Sequence, residues 1–358
     1  MSGRTACGRI TICIINYNGA GHLPATLASV QAHAEADAEI LLVDNASADG
    51  SPELAVQLCP GLRVLALPTN LGPAGARNAG FAAAGCDRIL FLDNDVRLTG
   101  STLAMLGETL DARPEALVAV PRVLYERQPA VIQYESADCH FLGLMIPRHA
   151  DREAASVAAI PAPTGSVVTA CFLIDRGRWR GAVPFDEDFG FNLEDHDFGV
   201  RARLLGHELW IDPRAVVLHG QGTRGLSYRP GMTASPQRVF FLVRNRWFVV
   251  AKSYSGRSIC LLLPALCLYE LAQLGFLSAS GMRPAWWAAL RSLRSAWPAL
   301  REKRRLVQST RKVADRAIFR HGPLPLTGWV RLGRRKKAAV WLLEGALNGH
   351  FLCVRRFL

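Results

Sequence analysis

The sequence ITICIIN at residues 10–16 is a continuous run of apolar, mostly β-branched side chains that ends in a polar residue. An apolar run without alternation is typical of a strand buried on both faces of a parallel sheet. Three similar runs follow along the chain, EILLVD at 39–44, RVLAL at 63–67 and RILFLD at 88–93. Apolar residues at helical spacing lie between them, at 22–34 and 73–84. This alternation predicts an α/β fold in which a mostly parallel sheet is flanked by helices.

The strand and helix pattern continues less regularly beyond residue 100. The run VVTACFLI at 167–174 predicts another buried strand, and residues 194–205 have helical character. Short strands are predicted at 208–211 and 215–218. The stretch 122–165 is predicted to consist of loops and short strands.

Polar side chains stand at or just beyond the carboxyl end of each of the first four predicted strands. They are Asn16 and Tyr17, then Asp44, then Asn70, and finally Asp93 and Asp95. In an α/β sheet, ligands bind beyond the carboxyl ends of the strands. We therefore expect these side chains to converge on one rim of the sheet and to form a ligand site there.

The triplet Asp93-Asn94-Asp95 points to a divalent cation. Two carboxylates at a strand end supply hard oxygen ligands, and Mg²⁺ or Mn²⁺ held by few protein oxygens keeps positions open for a diphosphate. Such a cation suits the departure of a nucleoside diphosphate, because it neutralises charge developing on the leaving group. An Asx turn capping the next helix is the alternative explanation. His219, after the predicted strand AVVL, can complete a metal site, although a single histidine is more often structural.

A second acidic cluster, Glu194-Asp195-His196-Asp197, opens the predicted helix at 194–205. Acids at a helix N-terminus are stabilised by the helix dipole, so capping is one explanation. Three acids within four residues exceed what a cap requires, and a positioned carboxylate can take the proton from an attacking hydroxyl. Helical phase alone does not choose between Asp195 and Asp197 as this general base.

The sequence has neither a P-loop nor a GxGxxG after the first strand, so a nucleotide must be bound by another geometry. The stretch NLGPAGARNAG at 70–80 offers small residues that permit close approach of the backbone. It also carries Arg77, which can donate to a base carbonyl or a phosphate and which we expect to face the rim.

Taken in order, these motifs resemble those of family 2 glycosyltransferases with a GT-A fold. The resemblance covers about residues 9–225 and rests on IINYNG, LLVDNASADGS, NLGPAGARNAG, FLDNDV, FGFNLEDHDFGVRARLLG and VVLHG. It implies an inverting transferase that uses a nucleotide-diphosphate sugar together with Mn²⁺ or Mg²⁺. The uridine and thymidine donors of such enzymes share the pyrimidine edge that Asp44 and Arg77 would contact.

The resemblance also implies roles for individual residues. The nucleotide-sugar would be bound by Asn16, Tyr17, Asp44, Asn70, Arg77 and Asp93. Asp95 would ligate the metal, with Asp93 beside it and His219 as a further ligand. Asp195 would be the general base, oriented by Glu194, with Asp197 as the competing candidate.

The net charge of +12 is unevenly distributed along the chain. Residues 236–358 hold 23 Lys and Arg against 4 Asp and Glu, a net charge of +19, whereas residues 1–235 have a net charge of −7. This asymmetry predicts two parts, a GT-A catalytic domain at 1–235 and a helical, basic, membrane-proximal region at 236–358. No nucleic-acid-binding motif accompanies the positive charge, so a nucleic-acid partner is not expected.

The basic region has features of a membrane-associated segment. Residues 259–277 are mostly apolar but include Pro264 and Glu270, which favours an interfacial helix over a spanning one. Tryptophans then interleave with arginines, as in segments that contact an anionic leaflet. A solvated helical face with core tryptophans is the alternative. We expect residues 255–358 to bind an anionic membrane surface, and the protein to lie peripherally or monotopically at the cytoplasmic face of the inner membrane.

The sequence therefore predicts a metal-dependent, inverting glycosyltransferase. Its partners would be a UDP- or dTDP-sugar donor and a glycan or polyprenyl-linked acceptor in cell-surface polysaccharide synthesis. The basic tail resembles, more loosely, that of bacterial members similar to rhamnosyltransferases. The alternatives are a nucleotidyltransferase on a similar fold and a non-catalytic membrane-bound scaffold. A nucleotidyltransferase is disfavoured because residues 1–235 contain no lysine for a phosphate-binding loop. A non-catalytic scaffold is disfavoured because both acidic clusters are present.

Overall fold

The computed structural model of the protein describes residues 10–220, 235–325 and 334–358. Residue contacts divide the chain into two units. The first, called the sheet unit here, comprises Met1–Ala137, Pro147–Ala202 and His207–Gly222. The second, the helical unit, comprises Asp138–Ile146, Arg203–Gly206 and Thr223–Leu358. The helical unit thus also takes in residues before 235, and the predicted functional division at residue 235 stays a prediction.

A ten-stranded sheet forms the centre of the sheet unit. Its strands are β1 (Thr11–Asn16), β2 (Glu39–Asp44), β3 (Arg63–Ala66), β4 (Arg88–Asp93), β5 (Val96–Leu98), β6 (Ala116–Tyr125), β7 (Gln128–Tyr134), β10 (Ala162–Pro163), β11 (Cys171–Asp175) and β12 (Glu208–His219). The order along the main path is β10-β12-β6-β11-β4-β1-β2-β3, with β5 paired to β12 and β7 to β6. Strands β3, β2, β1 and β4 are mutually parallel, so their carboxyl ends lie at one rim as predicted.

Helices cover both faces of the sheet because alternate strand residues point to opposite sides. On one face Ile12 and Ile14 pack with α1 (Leu23–His33), α2 (Ser51–Leu58) and α4 (Thr102–Asp111). On the other face Cys13 and Ile15 pack with α3 (Gly72–Ala83) and the first part of α5 (Glu194–Leu204). The four predicted parallel strands and the helices on their faces are therefore confirmed.

The structure corrects three details of the later sequence. The strand predicted at 167–174 is β11, which begins at Cys171 and runs antiparallel to β4. The two short strands at 208–211 and 215–218 are one strand, β12, whose pairing with β6 shifts register between Asp212 and Val216. The stretch 122–165 contains the end of the ten-residue strand β6, all of β7, and two further strands, β8 (Ser136–His140) and β9 (Leu144–Arg148). Strands β7 to β10 are the short strands predicted for this stretch, whereas the long strand β6 was not predicted.

The helical unit consists of α6 (Pro236–Ser253), α7 (Gly256–Ala279), α8 (Arg283–Thr310), the short α9 (Asp315–Ile318) and α10 (Arg334–Val354). The two-residue strand β13 (Phe319–Arg320) pairs with β8. Val239 and Val243 of α6 pack against Trp286 and Ala289 of α8 and Leu277 of α7. Among the described residues, α7 is the one helix long and apolar enough to cross a membrane.

Candidate active site

Asn16 joins the carboxyl ends of three parallel strands at the predicted rim. The side chain is fully buried, and its amide nitrogen donates to Asp44 Oδ1 at 2.8 Å and to Ser51 Oγ at 2.8 Å. Its Oδ1 accepts from Asn94 Nδ2 at 2.8 Å. Asp44 is itself only 4% exposed and accepts from the backbone and hydroxyl of Ser47. Both residues therefore hold the rim together, and their predicted contacts with a nucleoside stay predictions.

Gly19 is required by this hydrogen-bond network. A Cβ atom at that position would lie 2.2 Å from both Asn16 Oδ1 and Asn94 Nδ2. Neither amide can move without breaking the bond between β1 and the loop after β4. The glycine of the IINYNG motif is thus explained by close packing over the Asn16–Asn94 pair.

Two of the predicted nucleotide-binding residues are exposed at this rim. Tyr17 directly follows Asn16 and is 48% exposed, so its ring is open to stacking with an aromatic base. Asn70 lies before α3, where its Oδ1 accepts from Asn45 Nδ2 at 2.9 Å and from the backbone nitrogen of Gly72 at 2.8 Å. The Asn70 side chain thereby fixes the start of the small-residue stretch that was predicted to approach the nucleotide.

Arg77 connects the two acidic clusters, which lie about a hundred residues apart in the sequence. Its Nη2 donates to Asp93 Oδ1 at 2.7 Å and to the backbone oxygen of Thr169 at 3.1 Å, while Nη1 lies 3.6 Å from Glu194 Oε1. Arg77 is only 2% exposed. Arg77 thus contacts the rim residue Asp93, and its guanidinium is buried between two carboxylates. Its direct contact with a nucleotide stays a prediction.

The other side chains of this ion-pair network have unusual proton affinities. Burial raises the pKa of Asp93, and the charge of Arg77 opposes that rise. Burial and the charge of Asp195 raise the pKa of Glu194 to about 8. Among the described residues, Glu194 Oε2 and Arg77 Nε are buried without a hydrogen-bond partner. Unpaired buried groups of this kind are typical of a site that awaits a ligand or water.

Asp95, His219 and Gln133 form a line at the end of strands β12 and β7. His219 Nε2 lies 3.2 Å from Asp95 Oδ1, and His219 Nδ1 lies 2.9 Å from Gln133 Oε1. Burial lowers the pKa of His219, but the hydrogen bond and charge of Asp95 outweigh burial and raise it. Because Gln133 Oε1 can only accept, it selects the ring form with hydrogen on Nδ1. Nε2 is thereby directed towards Asp95.

The predicted three-residue metal site is formed only in part. Within residues 10–220, 235–325 and 334–358, no three His, Cys, Asp or Glu side chains are grouped as metal ligands. Asp95 and His219 lie together, whereas Asp93 is committed to Arg77. The remaining pair still fits Mn²⁺ or Mg²⁺, because such ions take one or two protein ligands and complete their shell with phosphate oxygens and water. A second-shell partner such as Gln133 is also typical of a ligating histidine.

The backbone directly before α5 is strained. Asn192 and Leu193 both have positive φ angles, of 65° and 64°. Left-handed backbone costs roughly 1–2 kcal/mol per non-glycine residue, so the surroundings must hold this turn in place. His196 contributes to that, because it is fully buried and its Nδ1 lies 2.9 Å from Ser166 Oγ. The turn determines where the first side chains of α5 point.

The three acids of this turn have different environments. Asp197 is fully buried, and its Oδ2 pairs with Arg201 Nε at 2.7 Å. Asp195 is half-buried, and its Oδ1 accepts from the backbone nitrogen of His196 at 2.7 Å. No hydrogen bond to Asp195 Oδ2 is found among the described residues. Glu194 faces Arg77, so the expectation that Glu194 orients Asp195 is not met by a direct contact.

Comparisons with known proteins agree on one class. Residues 11–169 match the family described as Glycosyl transferase family 2. The N-acetylglucosaminyl-diphospho-decaprenol L-rhamnosyltransferase of Mycobacterium tuberculosis is 28% identical over 237 residues, 59% of this chain and 75% of that protein. The succinoglycan biosynthesis protein ExoO of Rhizobium meliloti is 36% identical over 104 residues, 29% of this chain and 30% of that protein.

A solved structure shows the fold independently. The structure of GalNAc-T7 with UDP, GalNAc and Mn²⁺ superposes with a TM-score of 0.55 at 16% identity, over 73% of this chain and 51% of that one. This chain thus spans about half the length of GalNAc-T7.

The sheet order, the flanking helices and the polar rim define a GT-A glycosyltransferase fold. Residues 11–169 match a family 2 glycosyltransferase domain, and the protein is a glycosyltransferase that is similar in sequence to a rhamnosyltransferase. The predicted fold and enzyme class are confirmed, and so is the predicted resemblance to family 2 glycosyltransferases. Neither alternative, a nucleotidyltransferase or a non-catalytic scaffold, is supported by these matches.

Proposed function

We propose that the protein is an inverting, metal-dependent transferase that moves a sugar from a UDP- or dTDP-sugar to a hydroxyl of a glycan or lipid-linked acceptor. The observation that carries this proposal is the position of Arg77, which contacts both Asp93 and Glu194. It brings the Asp93–Asp95 cluster and the start of α5 to one site. A group that binds diphosphate and a group that accepts a proton are what inverting transfer requires.

In the proposed reaction, Asp195 acts as the general base. The acceptor hydroxyl transfers its proton to Asp195 Oδ2 as its oxygen forms a bond to the anomeric carbon. The bond from that carbon to the diphosphate oxygen breaks on the opposite face, and the nucleoside diphosphate leaves. Asp195 suits this role better than Asp197, whose carboxylate is fixed and neutralised by Arg201. Direct displacement from the opposite face inverts the configuration of the sugar.

The diphosphate is proposed to be bound at Asp95 and His219. These two residues would hold Mn²⁺ or Mg²⁺, which when bound neutralises the charge that develops on the leaving diphosphate. Gln133 orients His219 from behind. Tyr17 is proposed to stack on the base, because its ring is exposed at the same rim.

The acceptor and the location of the enzyme are proposed from the relative and from charge. The mycobacterial relative is named for transfer of L-rhamnose to an N-acetylglucosaminyl-diphospho-decaprenol. We propose a polyprenyl-linked or glycan acceptor, used in the synthesis of a cell-surface polysaccharide. The positive charge of residues 236–358 supports attachment of the region 255–358 to an anionic membrane, at the cytoplasmic face of the inner membrane.

A two-stage experiment tests this function. UDP- and dTDP-sugars are first screened by thermal shift with Mn²⁺ and with EDTA, and stabilising donors are then incubated with polyprenyl-diphosphate-linked acceptors. We expect a glycosylated lipid and one nucleoside diphosphate per transfer, with inverted anomeric configuration by NMR. Release of pyrophosphate, or retention of configuration, would contradict the proposal.

The pH dependence of the reaction follows from the environment of Asp195. Burial raises the pKa of Asp195 to about 6. The base works in its deprotonated form, so we expect kcat/KM to rise with pH and level off above about pH 6. Below it, the rate is expected to fall about tenfold per pH unit. The residual rate of Asp195→Asn is measured over the same pH range, and we expect it not to show this fall at low pH.

Replacing Gln133 tests the orientation of His219. Gln133→Leu removes the acceptor for Nδ1, so the ring loses its fixed direction, and we expect the affinity for Mn²⁺ to fall by about 10–100-fold. Mn²⁺ binding is measured by electron paramagnetic resonance in the presence of UDP. Gln133→Glu keeps an acceptor and is expected to bind Mn²⁺ nearly as the natural protein does. The exposed Gln128 on the same strand provides the control Gln128→Leu. Equal Mn²⁺ affinity in all four proteins would show that Gln133 does not orient His219 for metal binding.

A further inference from the structure

The outward side of α7 is apolar from Cys260 to Phe276. Its exposed side chains include Cys260, Leu263, Cys267, Leu268, Leu271 and Phe276, and Leu271 is 67% exposed. Between Arg257 and Arg283 the sequence contains one charged residue, Glu270. A surface helix of a soluble protein turns its polar side to water. Helix α7 departs from that pattern, because its exposed side chains are mostly apolar, as are its buried ones.

Glu270, the one charged residue of α7 beyond Arg257 in its first turn, is turned inward and is fully bonded. Glu270 pairs with the buried Arg246 and accepts hydrogen bonds from Trp247 Nε1 at 3.0 Å and Trp286 Nε1 at 2.6 Å. These partners come from α6 and α8. A charge that is kept inside a helix bundle while apolar residues face outward is the arrangement that a hydrocarbon environment favours.

Helix α10, beside α7, also exposes large apolar side chains. His350 Nε2 lies 2.9 Å from the backbone oxygen of Leu261, which fixes α10 against α7. Trp341 and Leu342 are 71% and 64% exposed, while Glu344 is half-buried and accepts from the backbone nitrogen of Leu324. No other Asp, Glu, Lys or Arg lies between Lys337 and Arg355. The outward sides of the two helices are called the apolar face here.

Positive charge accompanies the apolar face within the helical unit. Arg283, Arg291, Arg294 and Arg301 of α8 are exposed, and none forms an ion pair within the described part of the chain. They follow one another at spacings of eight, three and seven residues, so they lie along one side of that helix. Trp287 and Trp297 are each 49% exposed on the same helix. Arginine beside half-exposed tryptophan is complementary to the headgroups of anionic lipids.

We propose that the apolar face of α7 and α10 inserts into one leaflet of an anionic bilayer, with α7 lying parallel to the membrane plane. The inference deepens the membrane attachment included in the proposed function and rests on it. A spanning orientation is disfavoured because α7 is held by α6, α8 and α10 through Glu270 and His350. Crossing the bilayer would carry the arginines of α8 into hydrocarbon or break these contacts.

Natural cysteines report the orientation of α7 directly. Among the free cysteines of the described residues, Cys260, Cys267 and Cys353 are exposed and Cys13, Cys59, Cys139 and Cys171 are buried. Cys260 and Cys267 lie two turns apart on the same side of α7, about 10 Å along its axis. A nitroxide is attached to one exposed cysteine at a time, with the other two replaced by serine. Its accessibility to oxygen and to a water-soluble nickel complex gives its depth.

In vesicles of phosphatidylglycerol and phosphatidylethanolamine, we expect all three labels to lie about 5–10 Å below the phosphates, at similar depths. A depth difference of about 10 Å between Cys260 and Cys267 would show that α7 crosses the bilayer and would overturn the proposal. Labels that stay accessible to nickel would exclude insertion. Spin–spin broadening without vesicles would instead assign the face to a second copy of the chain.

Substitutions of the face test its contribution to binding. The double variant Leu271→Gln, Leu342→Gln is expected to bind the same vesicles about 30-fold more weakly in flotation. The matched control Val56→Gln, Leu58→Gln changes two exposed apolar residues of the sheet unit and is expected to bind normally. Equal binding by both variants would refute the proposal. Both are expected to hydrolyse donor at the normal rate in detergent, so this result is separable from a failure of the proposed chemistry.

Discussion

Asp195→Asn is expected to lower kcat for sugar transfer by about 10²–10⁴-fold while leaving the affinity for the donor unchanged. The amide keeps the shape of the side chain and can still accept from the backbone nitrogen of His196. It cannot accept the proton of the acceptor hydroxyl at neutral pH. Turnover is measured as release of nucleoside diphosphate, and donor affinity is measured by calorimetry.

Asp197→Asn is the matched control, because it changes the neighbouring carboxylate in the same way. Asp197 is buried and paired with Arg201, so its loss is expected to lower the melting temperature while the folded enzyme keeps its turnover. The two variants therefore separate a chemical role from a structural one. If Asp195→Asn kept near-normal turnover and Asp197→Asn lost it, the general base would be Asp197.

Asp95→Ala is expected to weaken donor binding by at least about 100-fold in Mn²⁺, because loss of even an outer-shell partner costs about 10–100-fold. In EDTA, the affinities of the variant and the natural protein are expected to be equally low. Calorimetric titration of the donor under both conditions measures this difference. The substitution also removes the partner of His219, so the pKa of that imidazole is expected to fall.

Asp37→Ala provides the control for Asp95→Ala. Asp37 is exposed in the loop between α1 and β2, and its removal changes the net charge equally. We expect its donor titrations to match those of the natural protein. The donor affinity of Asp95→Ala is compared with that of the natural protein, both in Mn²⁺ and in EDTA. Equal affinities under both conditions would rule out the proposed cation site.

Local sequence patterns predicted the first half of the sheet because burial there is continuous. The four parallel strands β1 to β4 and the helices α1, α3 and α5 lie within one or two residues of their predicted bounds. Each is specified by side chains a few positions apart. The polar rim followed from the same pattern, since the carboxyl ends of parallel strands must meet.

Residues that depend on distant pairing were not predictable in this way. Gln133 reaches His219, 86 residues further along the chain, only because β7 and β12 both pair with β6. Nothing in the sequence around Gln133 distinguishes it from a loop residue. The burial of Arg77 was missed for the same reason, because its partners Asp93 and Glu194 come from other elements.

The guanidinium of Arg77 contacts both Asp93, on the donor side of the site, and Glu194, beside the proposed base. A change of charge on one side therefore affects proton binding on the other. The charges of both Arg77 and Asp93 act on the Asp195 carboxyl and change its pKa. Thermodynamic reciprocity then applies: a ligand that alters the charge near Asp93 alters the proton affinity of Asp195, and a proton on Asp195 alters that ligand's affinity by the same factor. Donor binding should therefore be accompanied by a measurable uptake or release of protons. Occupation of the donor site would thus change the pKa of Asp195, and with it the fraction of enzyme whose base is deprotonated.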